Sequence, residues 1–261
     1  MHTILDGDGL IYAAAWNVKD LDAAYDKLTK KIQDVVTHNW DQDGTFTMFV
    51  AGKHNWRKDV FPGYKAHRKK DELPDANAIM RMELYDYLRE NRLAIFSDGS
   101  EADDLCRRKA VSMMDRGQPY IVASADKDLD MIIGNHLRFD QRMQIEEYEV
   151  DEEASDYNYF KQVLIGDMSD NIKSPDKLGP KTAEKLLADT PRDKWRTMVE
   201  NEYKTRCGSE WKHALYFTGS LVHIQRYKDD MFNWNKEGSW FDLGFEGAPS
   251  CYKYTDAQLG K

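Results

Sequence analysis

Apolar residues recur along the chain with two spacings, and each spacing predicts its own kind of element. Short runs that are apolar, β-branched or aromatic read as strands at residues 2–6, 45–50, 93–96 and 120–124. Between them the spacing is helical. Leu21, Tyr25, Leu28, Ile32, Val35 and Val36 share one face, as do Ile79, Met82, Leu84, Tyr85 and Leu88 after a start at Pro74 and Asp75, and a third helix is predicted from Ala102 to Met114. Strands alternating with helices predict an α/β fold with a mostly parallel central sheet flanked by helices. From about residue 151 the pattern turns helical, through Phe160, Val163, Leu164 and Ile165, then Ala183, Leu186 and Leu187, then Ala214 to Ile224. The expected organisation is an α/β core over 1–150, a mainly helical lobe over 151–227, and a tail over 228–261 to which the pattern gives no role.

Composition narrows the picture. At 41% hydrophobic the 261-residue chain can bury a large core. It has no apolar run of about 18 residues, so no membrane-spanning helix is expected. Residues 1–6 carry neither the basic nor the apolar region of a leader, and Cys106, Cys207 and Cys251 are far apart with no metal-binding spacing. A cytoplasmic protein with reduced thiols is therefore expected. The net charge of −9 argues against a nucleic-acid partner only until its distribution is considered. Lys65, Arg68, Lys69 and Lys70 form a basic run, and much of the acid is gathered in clusters that bound Mg²⁺ would offset.

Those clusters are Asp6 with Asp8; Glu101, Asp103 and Asp104; Asp126, Asp128 and Asp130; and Asp167 with Asp170. They follow predicted strands or open helices. In a parallel sheet the C-terminal strand ends lie on one edge, where ligands bind, so distant clusters can converge. Oxygen-only ligands favour Mg²⁺ or Mn²⁺ over Zn²⁺. Each cluster also has a plainer explanation: Asp-Gly-Asp makes a turn, acids suit the first turn of a helix, and Asp130 is expected to face solvent. Beyond Asp170, Gly179-Pro180-Lys181-Thr182 opens an apolar helix whose N-terminus, with Lys181, suits a phosphate. The segment from Asn55 to Arg68 mixes Arg57, Lys58, Lys65 and Arg68 with aromatics, and Lys69 follows it. Its cations suit phosphates and Tyr64 suits a base, with a solvated basic face as the plainer alternative. Trp56 and Phe61 are candidates to anchor the segment in the core.

In order, Asp6-Gly7, Tyr64-Lys65-Ala66-His67-Arg68, Glu101-Ala102-Asp103-Asp104, Ser124-Ala125-Asp126-Lys127-Asp128 and Gly166-Asp167-Met168-Ser169-Asp170-Asn171-Ile172 resemble the motifs of the flap endonuclease superfamily. The likeness is to the 5′ nucleases of the bacteriophage 5′–3′ exonuclease and DNA polymerase I type, and it runs from Asp6 to about Tyr227. It implies a PIN-like core and a helix–turn–helix with an enlarged turn at about 163–188. It implies two Mg²⁺ ions, replaceable by Mn²⁺, held by Asp6, Glu101, Asp103, Asp104, Asp126, Asp128, Asp167 and Asp170. Lys65 and Arg68 would contact the scissile phosphate at the base of an arch placed at about 53–92, and Tyr64 would stack on the end base. Arg57, Lys69, Gly179, Lys181 and Thr182 would contact DNA, and the turn would hold K⁺ as it does elsewhere in the family.

The implied activity is metal-dependent cleavage near the 5′ ends of duplex, nicked or flapped DNA during replication, RNA–DNA hybrids included. The chain would act as a monomer, with replication proteins as further partners and no membrane. Two rival readings are a PIN-type ribonuclease and a catalytically inactive junction-binding protein of the same fold. Three departures from the family pattern stand out. The second strand ends Phe49-Val50-Ala51 where the family has an acid, which makes Asp8 a candidate replacement ligand. Ala13 stands where the family often has Arg, and Ile172 to Leu178 replaces a Gly-rich lead-in to the turn.

Overall fold

The computed structural model describes residues 1–38, 44–68, 75–140, 142–176 and 178–260. Lys69, Lys70 and Pro74 lie outside the described residues. The elements in chain order are β1 (His2–Asp6), α1 (Asp8–Ala15), α2 (Leu21–Val36), β2 (Thr45–Val50), α3 (Arg57–Val60), α4 (Ala76–Glu90), β3 (Ile95–Phe96), α5 (Ala102–Met114), β4 (Tyr120–Ser124), β5 (Gly134–Phe139), β6 (Ile145–Val150), α6 (Glu152–Ile165), α7 (Pro180–Ala188), α8 (Trp195–Cys207) and α9 (Trp211–Val222). The chain divides into two compact units. The first comprises Met1–Asn55, Lys70–Asp151 and Arg226–Lys228; the second comprises Trp56–Lys69, Glu152–Gln225 and Asp229–Lys261.

The first unit is built on a sheet of order β3-β2-β1-β4-β5-β6, parallel throughout except for the β5–β6 pair. Thr3, Ile4 and Leu5 of β1 are all buried, as expected of a parallel strand covered on both faces. Alternation along the strands divides the core. Leu5, Met48, Val50, Ile121 and Ala123 pack with α1, α2 and α4, whereas Ile4, Phe49 and Val122 pack with Ala102, Cys106, Ala110 and Met113 of α5. Side-chain caps set the helix starts. Asp20 accepts from the Ala23 N–H at 2.9 Å, Asp75 from the Ala78 N–H at 2.7 Å, and Asp104 from the Glu101 N–H at 2.9 Å. The β5–β6 hairpin and α1 are additions to the sequence-based expectation, and the strand predicted at 93–96 is shortened to Ile95–Phe96. Asp130 does not face solvent: its carboxylate accepts from Arg138 Nη2 at 2.5 and 2.6 Å and from the Tyr148 hydroxyl at 2.6 Å. An arginine and a phenol carried on the adjacent hairpin strands draw it inward.

The second unit packs α6 to α9 around Val163, Leu164, Ala183, Leu187, Val199, Leu215 and Phe217. The tail, which shows no periodicity, contributes Phe232, Trp234, Trp240 and Tyr252 to that same core. Cys207 and Cys251 meet there, thiol against thiol, and none of the three cysteines forms a disulfide. Among the described residues no helix is long and apolar enough to cross a membrane.

Candidate active site

In the first unit the parallel strands deliver the acids to one edge. β1 is flanked by β2 on one side and β4 on the other, so the strand order reverses between β1 and β4, the position where open α/β sheets form their ligand crevice. Asp6 is the last residue of β1 and Ser124 the last of β4. A chain of hydrogen bonds follows. The Ser124 hydroxyl donates to Asp6 Oδ2 at 2.7 Å and accepts from the Asp126 N–H at 2.9 Å, and Asp126 Oδ1 accepts from the Asp128 N–H at 2.9 Å. Ser124 thus ties two of the predicted clusters together. Sequence reasoning gave it no role, although a serine between a strand end and an acid is a readable signal.

Asp6 is 7% exposed. Burial, then the charge of Asp8 and, more weakly, that of Asp126, push its carboxyl up to about 7, while the Ser124 hydrogen bond opposes them. Asp8 opens α1 and leans over the end of β2. Its two carboxylate oxygens each lie 3.2 Å from the Ala51 N–H, and Oδ1 accepts from the Tyr85 hydroxyl at 2.8 Å. Burial, Asp8 and Asp6 together push the Tyr85 phenol up, so it remains a donor. Val50, where the resemblance leads one to expect an acid, is fully buried among Leu5, Leu10, Ile11, Leu84 and Leu88.

Glu101 and Asp104 share a capping box at the start of α5, and Asp104 is fully buried. Asp103 and Asp104 belong to the same electrostatic neighbourhood as Asp6 and Asp8. After burial, these four charges raise the Cys106 thiol, which keeps it protonated and unsuited to bind metal. Among the described residues, no three His, Cys, Asp or Glu side chains already stand as a ligand set. Like charges repel until a cation neutralises them, so acids gathered at one strand edge make a place that favours positive charge. Oxygen-only donors of this kind fit a hard divalent cation.

The second unit gathers a different constellation around Asp170. The Tyr64 hydroxyl donates to Asp170 Oδ2 at 2.7 Å, Lys65 Nζ lies 3.4 Å from the same oxygen, and Arg68 Nη2 donates to Oδ1 at 2.6 Å. The Lys65 N–H donates to the Asp170 carbonyl at 3.0 Å. Residues 64–68 therefore wrap around one carboxylate. Asp167 caps the following 3₁₀ turn by accepting from the Ser169 N–H at 2.7 Å. Gly166 sits at φ +66°, and a Cβ there would lie 2.4 Å from the Ile172 carbonyl, so only glycine fits. A long connection, 166–179, then leads from α6 to α7, where Gly179, Lys181 and Thr182 are exposed at the start of the helix.

Two of the expected nucleic-acid contacts are corrected here. Tyr64 is 2% exposed, so its ring belongs to the core and is not presented to a base. Arg57 is 1% exposed; its Nε and Nη2 donate to the carbonyls of Leu221 at 2.9 Å and His223 at 2.5 Å. Its guanidinium serves the packing of α3 on α9 and is withheld from the surface. Arg68, with its side chain 54% exposed, keeps its guanidinium open to solvent while paired with Asp170. Phe61 anchors the segment as expected, edge-on to Phe217.

Comparison with known proteins agrees with this geometry. A family model described as the 5′-3′ exonuclease, N-terminal resolvase-like domain matches residues 2–159. A 5′-3′ exonuclease of Buchnera aphidicola subsp. Schizaphis graminum is 26% identical over 198 residues, which cover 70% of this chain and 68% of that protein. The flap endonuclease Xni of Shewanella sediminis is 30% identical over 203 residues, covering 70% and 74%. Among solved structures, the zinc-bound T5 5′-exonuclease superposes with a TM-score of 0.59 at 16% identity, over 85% of this chain and 86% of that one; this likeness concerns the fold.

Proposed function

The chain belongs to the 5′-3′ exonuclease family, and we propose from that premise that it hydrolyses phosphodiester bonds near the 5′ ends of DNA with the help of divalent metal ions. The observation that carries the reading is the hydrogen-bonded series Asp6–Ser124–Asp126–Asp128 at the strand-order reversal, with Asp6 raised by burial and by the acidic charges beside it. Asp6, Asp8, Glu101, Asp103, Asp126 and Asp128 are the first unit's candidate ligands. Asp104, buried under its own helix cap, supports the set from behind. Asp167 and Asp170 are the carboxylates that the second unit offers. Mg²⁺ is the ion such oxygen donors favour, and Mn²⁺ can substitute. When bound, these ions supply a nucleophile at neutral pH and neutralise charge on the leaving oxygen.

The protein's own side chains position the substrate. Arg68, exposed and paired with Asp170, can exchange that carboxylate for a phosphate, and Lys65 stands beside it. Their charge would oppose the negative charge that develops on the scissile phosphate. Lys181 and Thr182, exposed in the first turn of α7, would hold a backbone phosphate of the duplex. Carbonyls of the 166–179 connection are the candidate ligands for K⁺. The products would be a 5′-phosphorylated strand and a 3′-hydroxyl fragment, which suits primer or flap removal in replication.

End-labelled flapped, nicked and blunt duplexes, incubated with Mg²⁺ or with EDTA, test the reading and resolve the cleavage mode by product length. Wild type should cut only with metal, and Asp126→Asn should not cut while keeping its circular dichroism spectrum. Retention of DNA in a gel without any cutting by wild type would instead identify a junction-binding protein. Full activity in Asp126→Asn would refute the ligand assignment.

A further inference from the structure

Three features at the edge of the first unit's sheet bear on one carboxylate. β1 ends in Asp6, and Asp126 lies just past the end of β4, but β2 ends in Phe49 and Val50, Ala51 follows, and none of them is an acid. The side chain of residue 50 points into the apolar core, so an acid there would be buried among leucines. A carboxylate does stand at that strand end, and it comes from the helix start at Asp8. The Ala51 N–H, just past the strand, lies 3.2 Å from each of its oxygens.

A further anchor comes from α4, a helix distant in sequence: the Tyr85 hydroxyl at 2.8 Å from Oδ1. The ring of Tyr85 packs edge-on to Phe96, with centroids 6.3 Å apart, and lies against the core. Phenylalanine would do that as well, so packing does not explain the hydroxyl. Its bond to Asp8 does, and carboxylates that ligate metals are held by partners of this kind.

We infer that Tyr85 is a positioning residue for metal ligation: it fixes the Asp8 carboxylate at the acid-free end of β2, so that the helix start supplies the ligand the strand lacks. The inference rests on the proposed metal-dependent function. It makes α4 part of the site's support, although the sequence pattern shows Tyr85 only as one apolar position on a helix face.

Isothermal titration of the protein with MnCl₂ in the absence of DNA tests it without reading activity. Tyr85→Phe should weaken Mn²⁺ affinity about tenfold, the loss typical of removing a support to a ligand, and Asp8→Asn should weaken it at least as much. Because the hydroxyl acts through Asp8, the double variant Asp8→Asn/Tyr85→Phe should bind no more weakly than Asp8→Asn alone. A purely structural role would lower the unfolding temperature of Tyr85→Phe and leave its Mn²⁺ affinity intact. Wild-type affinity in Tyr85→Phe, or its full tenfold loss persisting on the Asp8→Asn background, overturns the inference alone. A wild type that takes up no Mn²⁺, or an Asp126→Asn variant that binds as tightly as wild type, overturns the functional reading and the inference with it.

Discussion

Asp6 shows how one side chain can record the purpose of its surroundings. Its folded carboxyl is raised to about 7 by burial and by its acidic neighbours, above the ordinary carboxylate range it has when unfolded. Its contribution to stability is therefore fully present at a pH below that ordinary range, and is lost as pH rises through about 7. The metal-free protein should accordingly lose stability between about pH 4 and 7 through this group. Asp6→Asn, measured by thermal unfolding in EDTA, should remove that slope and raise the unfolding temperature at pH 8 by a few degrees, since about 1 kcal/mol moves a protein of this size by roughly 2–4 °C. A steeper slope in Asp6→Asn would show that the strand-end carboxylates do not repel as the geometry requires. Arg57 and Arg68 make the complementary point. They lie in one basic segment, yet one is sealed against backbone carbonyls and the other is open to solvent. Net charge along the chain does not distinguish them.

Elements in this protein are defined in two ways, and their stability should differ accordingly. The strands and capped helices of the first unit follow local rules: alternation, a capping acid, a short apolar run. The tail of the second unit follows none of these and is held by where its rings lie. Trp234 is 1% exposed, stacks on Phe232 with centroids 5.9 Å apart, and its backbone N–H donates to the Tyr216 hydroxyl at 3.0 Å. Trp234→Ala should cost about 3–5 kcal/mol in urea unfolding, as large aromatic truncations in cores do. A loss below about 1 kcal/mol, the scale of an ordinary surface change, would mean that the tail only decorates the helices. The close fit of Gly219 points the same way, because a Cβ there would lie 2.2 Å from the Phe232 ring.

The whole molecule carries a net charge of −9, yet its proposed partner is a polyanion. Those facts are compatible only if affinity comes from a few placed cations, with metal offsetting the acidic edge. Salt then becomes a gauge of each contact. With Ca²⁺ in place of Mg²⁺ to suppress cutting, Lys181→Ala should weaken duplex binding and reduce the slope of log affinity against log salt by about one unit, as for the loss of one phosphate contact. An unchanged slope would remove Lys181 from the interface.

The limits of the sequence lie along the same division. Strand and helix spacing, the mostly parallel sheet, the acids at strand ends and helix starts, and the ordered motifs were all readable from the chain. Each depends on residues a few positions apart, where backbone periodicity alone dictates which way a side chain points. What could not be read depends on partners brought together by packing. Ser124 bridges Asp6 and Asp126 because β1 and β4 lie in register. Tyr85 reaches Asp8 because α4 lies on α1. Tyr64 turns inward to Asp170 instead of outward to a base, and Asp130 is claimed by Arg138 and Tyr148. Many side chains could satisfy each of these groups. Which one does is settled by the competition for buried volume and for hydrogen-bond partners across the fold, and no local pattern encodes that choice.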